Sequence, residues 1–550
     1  MTLNAATQAT EISFACASLP SNFNPLTPQG DNLATKQAMA QVWPSPFIIT
    51  PQFQPTINYS FVSSAELTSV SPETIVYQIN PKAIWSDGVP ITASDFIYNW
   101  HAQSGDPAFN DVGGAPFIAK STLGYSDINS VTSSDSGKRV TVVFKQPFSD
   151  WESLFDPLVP AHIAEKYGWN SGFTSFNTNI EVSGGPYEIA SASSQRLTLV
   201  RNPKYWGAVP PIATINMVLD QSPSNFANQM AANQIQLIET PAQVNVLQQL
   251  EGLSNVAMPV QVSPTLRFEE LDFNQADPIL SKLAVREALA DYTDRNALIA
   301  AGPGQMALSE PMPQEDDNHI YVPSQYSQYQ PNGSYYDTTH PNQAAKLLTQ
   351  SGFILGSDGM WHQTTSTGPI LTLSLLINES DPIKQAVGET FVSQMKAAGI
   401  QIQVENLPTS TIDQDLLSGN WQLAEVTQQA SPFAAKFEAI YSTKPSNYFG
   451  YDNLEVDQLF QKAIDNPDLF DATEDYNLID KQLWSDMVSL PLYEDLEIVA
   501  NTTNLNGVLA NASNSTLFWN AQQWSLHTVV SKEITTTTST AVVKKTKKKR

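Results

Sequence analysis

The sequence predicts an α/β protein of several folding units, on three observations. The chain is 550 residues long, its first 200 residues are rich in strand-like runs, and beyond Trp206-Gly207 helical and strand-like segments alternate. At roughly 150 residues per unit the length implies three or four units or one large multi-lobed body. A hydrophobic content of 41% supplies real cores and excludes a disordered chain.

The elements follow in chain order. Glu11 to Ala17 reads as a strand, and Pro20, Asn22, Asn24, Pro25 and Pro28 then punctuate a loop. TIVYQI at 74–79 reads as a strand. In WSDGVPITASDFIYNWHAQ, Asp87-Gly88 marks a turn and Thr92 with Asp95 forms a capping box that opens a helix. VTVVF at 140–144 and LTLVRN at 197–202 are apolar, β-branched runs bounded by turn residues. SNFANQMAAN followed by IQLIE, and VGETFVSQMKAA followed by Gly399 and IQIQVEN, set a βαβ rhythm. Gly399, and Gly352 after AAKLLTQS, stand where a helix C-cap needs a left-handed residue. Val285, Ala288, Leu289, Tyr292, Leu298 and Ile299 form a helical stripe broken near Thr293 and Asp294, which predicts a second short helix capped there. The last twenty residues, ending TTTTSTAVVKKTKKKR, read as a solvated, disordered tail.

Charge narrows the function. The chain carries 54 acidic and 28 basic side chains, a net charge of −26, and six of the basic ones stand between Lys544 and Arg550. Such a field repels phosphate backbones and argues against nucleic-acid partners. Only 15% of residues are charged while 10% are aromatic, a surface suited to uncharged or amphipathic ligands. Cys16, alone, forms no intramolecular disulfide and is expected to be inert. The residues before it lack the apolar run and the Leu of a lipoprotein signal, and no stretch of eighteen apolar residues occurs anywhere. The expectation is therefore a chain that spans no bilayer and whose export leader is missing from the sequence.

Catalytic signatures are absent: no GxSxG, HExxH, paired CxxC or GxxxxGK[ST] occurs. AGPGQMA at 301–307 matches a loose dinucleotide pattern but follows helical rather than strand text. His101, His162, His319, His340, His362 and His527 are scattered without i, i+4 pairing, so no metal is expected. Glu310, Glu315, Asp316 and Asp317 form an acidic cluster that invites comparison with a glycan-cleaving carboxylate pair, although four exposed loop acids are the plainer reading. Trp43, Trp85, Trp100, Trp361, Trp421, Trp484, Trp519 and Trp524 read as core residues, with one or two lining a cleft.

Read in order, several segments resemble family 5 of the extracellular solute-binding proteins of ABC importers, the oligopeptide, dipeptide and nickel class. They are AIWSDGVPITASDFIYNW at 83–100, GGPYEIASASSQRLTLVRNPKYWG at 184–207, and LDFNQADPILSKLAVREALADYTDRNALI at 271–299 with Asn274, Arg286, Asp294 and Arg295. YFGYDNLEVDQLF, YNLIDKQLWSDMVSLPLYE and FWNAQQW complete the set. The resemblance implies a two-lobed periplasmic binding protein fold, type II, with an extra strand-rich subdomain in the first lobe. It implies a first lobe built from 1–47, 182–264 and 497–530, an inserted subdomain at 48–181, a second lobe at 265–496 and a tail at 531–550. It further implies a monomeric, extracytoplasmic, non-enzymatic protein without cofactor that captures an oligopeptide or similar polar solute and delivers it to a membrane permease. The alternative is a secreted glycan- or peptide-cleaving hydrolase.

Ligand in this family lies between the lobes, so the resemblance implies contacts from Gln29, Gly30 and Asp31 after the first strand. It adds Glu270 and Asp272 near the first crossing, Glu425, Thr427, Gln428, Gln429 and Ser431, and Tyr493 near the second crossing. Peptide-binding relatives commonly carry an acidic residue in an Asp-Tyr-x-x-Pro run; this chain reads EVTQQASPF. Its Gln428, Gln429 and Ser431 offer neutral hydrogen bonds there, with Glu425 or Asp31 as the nearest substitutes for the carboxylate.

Overall fold

The computed structural model describes residues 10–177, 182–306, 318–320, 333–511, 513 and 516–527. The acidic cluster Glu310, Glu315, Asp316 and Asp317 and the basic tail lie outside the described residues.

Fourteen strands carry the architecture. They are β1 (Glu11–Cys16), β2 (Val62–Val70), β3 (Glu73–Ile79), β4 (Ile128–Ser134), β5 (Arg139–Phe144), β6 (Tyr187–Ala192) and β7 (Arg196–Arg201). They continue with β8 (Thr214–Leu219), β9 (Leu237–Pro241), β10 (Gln261–Phe273), β11 (Thr372–Asn378), β12 (Gln401–Leu407), β13 (Leu423–Gln429) and β14 (Ser489–Asn501). Ten of them form one mixed sheet in the order β12-β11-β13-β10-β14-β9-β1-β8-β7-β6. β2, β3, β5 and β4 form a separate antiparallel sheet in that order.

The long strands β10 and β14, thirteen residues each, join the two ends of the large sheet. Gln261 to Pro264 pair with Val499 to Leu496, and Phe268 to Asp272 pair with Glu494 to Ser489. Between these ladders residues 265–267 stand opposite Asp495 alone, an irregularity that bends a strand pair. On one side of the bend β14 pairs with β9, on the other β10 pairs with β13. The sheet thus runs through two lobes, and both crossings are made by neighbouring strands.

Each lobe buries both faces of its part of the sheet. Strand side chains alternate between faces, and β10 shows the result: Leu271 and Phe273 join a core with Leu289, Phe391 and Leu490, while Leu266 and Phe268 join another with Trp421, Phe460 and Val488. In the first lobe Phe14, Trp43 and Trp524 pack on one face and Ala15, Met230, Leu250 and Ile498 on the other. The four-stranded sheet packs through Tyr77 and Val142 on Phe96, within the same core as Phe14.

The sequence markers form structural locks. Thr92 and Asp95 make the capping box at the start of α2 (Ala93–Gln103), where α1 is Leu33–Met39. Asp95 also accepts from Trp85 Nε1 at 3.3 Å and from the Ala161 amide at 3.0 Å. Asn202 donates to the Gly185 carbonyl at 2.9 Å. α3 (Leu283–Tyr292) and α4 (Arg295–Ala301) are separated as the stripe predicts, Asp294 capping the second by accepting from the Ala297 amide at 3.0 Å. Gly399, after α5 (Pro382–Ala397), has a φ of +82°. AGPGQMA opens no described helix after a strand; Pro303–Met306 is one 3₁₀ turn behind α4.

Candidate functional site

Where the lobes meet, a cavity of about 390 Å³ opens beside the bend in the sheet. The first lobe contributes the end of β1 (Cys16) with Ala17 and Ser18, the start of α1 with Asp31, Lys36 and Gln37, and Glu239 to Pro241 of β9. The crossing strands contribute Thr265, Arg267 and Glu497, and the second lobe contributes Gln429. Asn511, Ser513 and Thr516 of the returning chain close the wall. Most of these groups are amides, hydroxyls and acids, so the cavity sets hydrogen-bonding groups among apolar surface such as Phe14, Leu33 and Pro241.

Local structure fixes each wall. Asn32 caps α1 by accepting from the Thr35 amide at 3.0 Å, which sets Asp31 just outside the helix. Asp31 pairs with Lys36 at 2.8 Å and Lys120 at 3.4 Å. Burial raises the Asp31 carboxyl, but the charges of Lys120 and Lys36 outweigh it and hold the group below the usual carboxylate range. Arg267 and Gln429 are directly opposite partners on β10 and β13, and Arg267 Nε lies 3.1 Å from Asp495 Oδ2. Lys436 caps the end of β13, donating to the Gln429 carbonyl. Burial pushes the Lys436 amine down to about 8.

Two carboxyls face the cavity without a cation of their own. Gln37 donates to Glu239, whose carboxyl is driven well up by burial and then by the neighbouring Glu497, against a smaller pull from Arg267. Burial lifts Glu497 to about 7 despite the same Arg267. Glu497 is only 7% exposed and its Oε1 has no hydrogen-bond partner. Cys16 beside them is buried, and its thiol is pushed up to about 12, so it is no thiolate.

The residues implied by position fall into six places. Asp31 and Gln429 line the cavity from opposite lobes. Glu425 and Thr427 share the face of β13 that carries Gln429, where they meet Glu269, Lys384 and Tyr493. Lys384, in the first turn of α5, lies 2.7 Å from Glu269 and 2.7 Å from Thr427 Oγ1. Burial, only partly opposed by Lys384, holds Glu425 well above the usual range. Glu270, Asp272 and Gln428 point to the other face, inside the second lobe. There Tyr448 donates to Asp272 at 2.8 Å, Gln428 donates to Tyr448 at 2.7 Å and Ser489 donates to Glu270 at 2.5 Å. Gln29 lines a neighbouring depression with Asn22 and Asn170. Gly30 is locked in the loop, where a Cβ would sit 1.9 Å from the Asn24 carbonyl oxygen. Ser431 holds a turn by accepting from the Phe433 amide at 3.1 Å.

Sequence reasoning missed Lys36, Gln37, Glu239, Arg267, Lys384 and Glu497. A signal existed for one of them: Glu494, Asp495 and Glu497 interrupt the apolar strand SLPLYEDLEIVAN, and charge in a buried strand is costly unless a partner answers it. Trp43 and Trp519 line a separate cavity of about 110 Å³ in the first lobe, whereas Trp85, Trp361, Trp421, Trp484 and Trp524 are buried in cores. Among the described residues no group of three or more His, Cys, Asp or Glu is placed to hold a metal. No described helix is long and apolar enough to cross a membrane.

Known proteins share this build. The chain is 28% identical over 501 residues to the oligopeptide-binding protein OppA of Mycobacterium tuberculosis, covering 88% of this chain and 80% of that protein. The solved periplasmic EDTA-binding protein EppA superposes with a TM-score of 0.85 at 25% identity, covering 96% of this chain and 99% of that one. The oligopeptide-binding protein AppA of Bacillus subtilis, solved with a nonapeptide, superposes at a TM-score of 0.69 and 16% identity over 94% of this chain and 99% of its own, a likeness of fold. These are two-lobed periplasmic binding proteins, as the resemblance implied. The model of bacterial extracellular solute-binding proteins, family 5, matches residues 59–448, and with the two-lobed sheet and the cavity between its halves it shows that the chain belongs to that family.

Proposed function

We propose that the protein captures an oligopeptide or similar polar solute between its lobes and hands it, chemically unchanged, to the permease of an ABC importer outside the cytoplasm. One observation carries the reading: Asp31 of the first lobe and Gln429 of the second line the same cavity, beside the only two strands that link the described lobes. A solute touching both walls gains contacts that exist only when the lobes are together, and only such differential contacts drive closure. A rotation at the bend between residues 265–267 and Asp495 moves one wall against the other without breaking either ladder.

The test is a panel of tri- to pentapeptides and oligosaccharides, with affinity by calorimetry and compactness by small-angle scattering. A solute that binds is expected to reduce the radius of gyration and to be recovered with its mass unchanged. Binding without compaction removes the clamp, and a cleaved product replaces capture with hydrolysis.

A further inference from the structure

We infer that Glu239 and Glu497 form a proton-sharing receptor for a cationic group of the solute, an ammonium or guanidinium whose entry expels the shared proton. The inference rests on the capture reading and specifies its substrate class.

Strand register brings the two acids together. Pro241 pairs with Glu497 and Glu239 with Val499, so the four side chains share one sheet face and the two glutamates are diagonal neighbours. Both line the interlobe cavity. The groups facing them from the surrounding elements are few. Gln37 of α1 donates to Glu239, and Lys36 at the same helix end is held by Asp31 at 2.8 Å. Arg267 of β10 attracts both acids, but its Nε is committed to Asp495 of β14 at 3.1 Å.

Two carboxylates this close in a buried place cannot both ionise cheaply, so they hold a proton between them. Glu497, whose side chain lines the cavity, nevertheless keeps its Oε1 buried without a hydrogen-bond partner. A buried unmet acceptor is expensive, and a donor arriving with the solute removes that cost. A cation does more: it exchanges for the proton one for one, leaving the cavity's charge unchanged while both carboxylates gain a partner. A neutral solute cannot make this exchange.

The full chain is titrated with three probes: acetyl-Ala-Lys-Ala-amide, acetyl-Ala-Gln-Ala-amide and unblocked Ala-Gln-Ala, in two buffers of different ionisation enthalpy. The lysine peptide is expected to bind at least about tenfold more tightly than its blocked glutamine counterpart and to release close to one proton. Its affinity should rise with pH by up to about tenfold per unit through the titration of the pair. Tight binding with proton release by Ala-Gln-Ala assigns the α-ammonium as the cation; its absence assigns the side chain. In Glu497→Gln, and independently in Glu239→Gln should the first fail to fold, the lysine peptide should fall to the affinity of the blocked glutamine peptide and release no proton. Equal binding of the two blocked peptides with no proton release by Ala-Gln-Ala, or binding of the cationic peptides without proton release, overturns the receptor while leaving capture intact. Failure of all three probes to bind, alongside failure of the wider panel, overturns capture and the receptor with it.

Discussion

At the scale of single residues, the second-lobe wall depends on Lys384, whose ammonium answers Glu269 at 2.7 Å while Glu425 stays buried beside them. Removing one member of a buried pair strands the other's charge, a loss of about 3–5 kcal/mol. Lys384→Met is therefore expected to lower the denaturant midpoint strongly at neutral pH, and less at a pH low enough to protonate Glu269; an unchanged midpoint would show the pair to be solvated. Residue chemistry was unevenly legible. Asp31 and Gln429 follow from their places after the first strand and near a crossing, and both reach the cavity. Glu270 and Asp272 sit one and three positions beyond Glu269, so strand alternation sends them to the opposite face. Position along a chain selects a neighbourhood, whereas the face depends on register, which is set by partners more than a hundred residues away.

At the scale of elements, local rules worked where the determinants are local. The box at Thr92 and Asp95, the break before Asp294 and the left-handed Gly399 are each decided within a few residues. Gly399→Ala tests this directly. It forces a left-handed φ on an L-residue, costing about 1–2 kcal/mol, and sets a Cβ 2.3 Å from the Gly359 carbonyl oxygen. A drop in thermal stability of at least that size is expected, and a neutral result would mean the turn re-forms elsewhere. Thr92→Ala should cost about 1 kcal/mol through the lost cap, read by the same melt. The two thirteen-residue strands were not legible as crossings from periodicity, because each changes partners midway and carries acids where alternation would ask for apolar groups. Only the family resemblance pointed to two crossings.

At the scale of the whole molecule, many acids are buried with raised protonation. Burial lifts Glu73, Asp150 and Glu494 to about 7 and Asp95 to about 6. The folded state therefore binds more protons than the unfolded chain from about pH 4 up to those values, and stability falls as pH rises through that window. The net charge of −26 adds self-repulsion in the same direction. The melting temperature should be higher near pH 5 than near pH 8; a profile rising toward alkaline pH would contradict the burial of these acids. The linkage through β10 and β14 has a mechanical corollary. A single tether would let the halves swivel freely, but two backbones laced side by side make a ribbon, stiff within its plane and compliant across it. In the proposed closure the approach of the halves would be confined to one arc, so the same groups would come face to face each time. Selectivity follows from a single repeatable fit, and little orientational freedom is left to be lost when a guest is trapped.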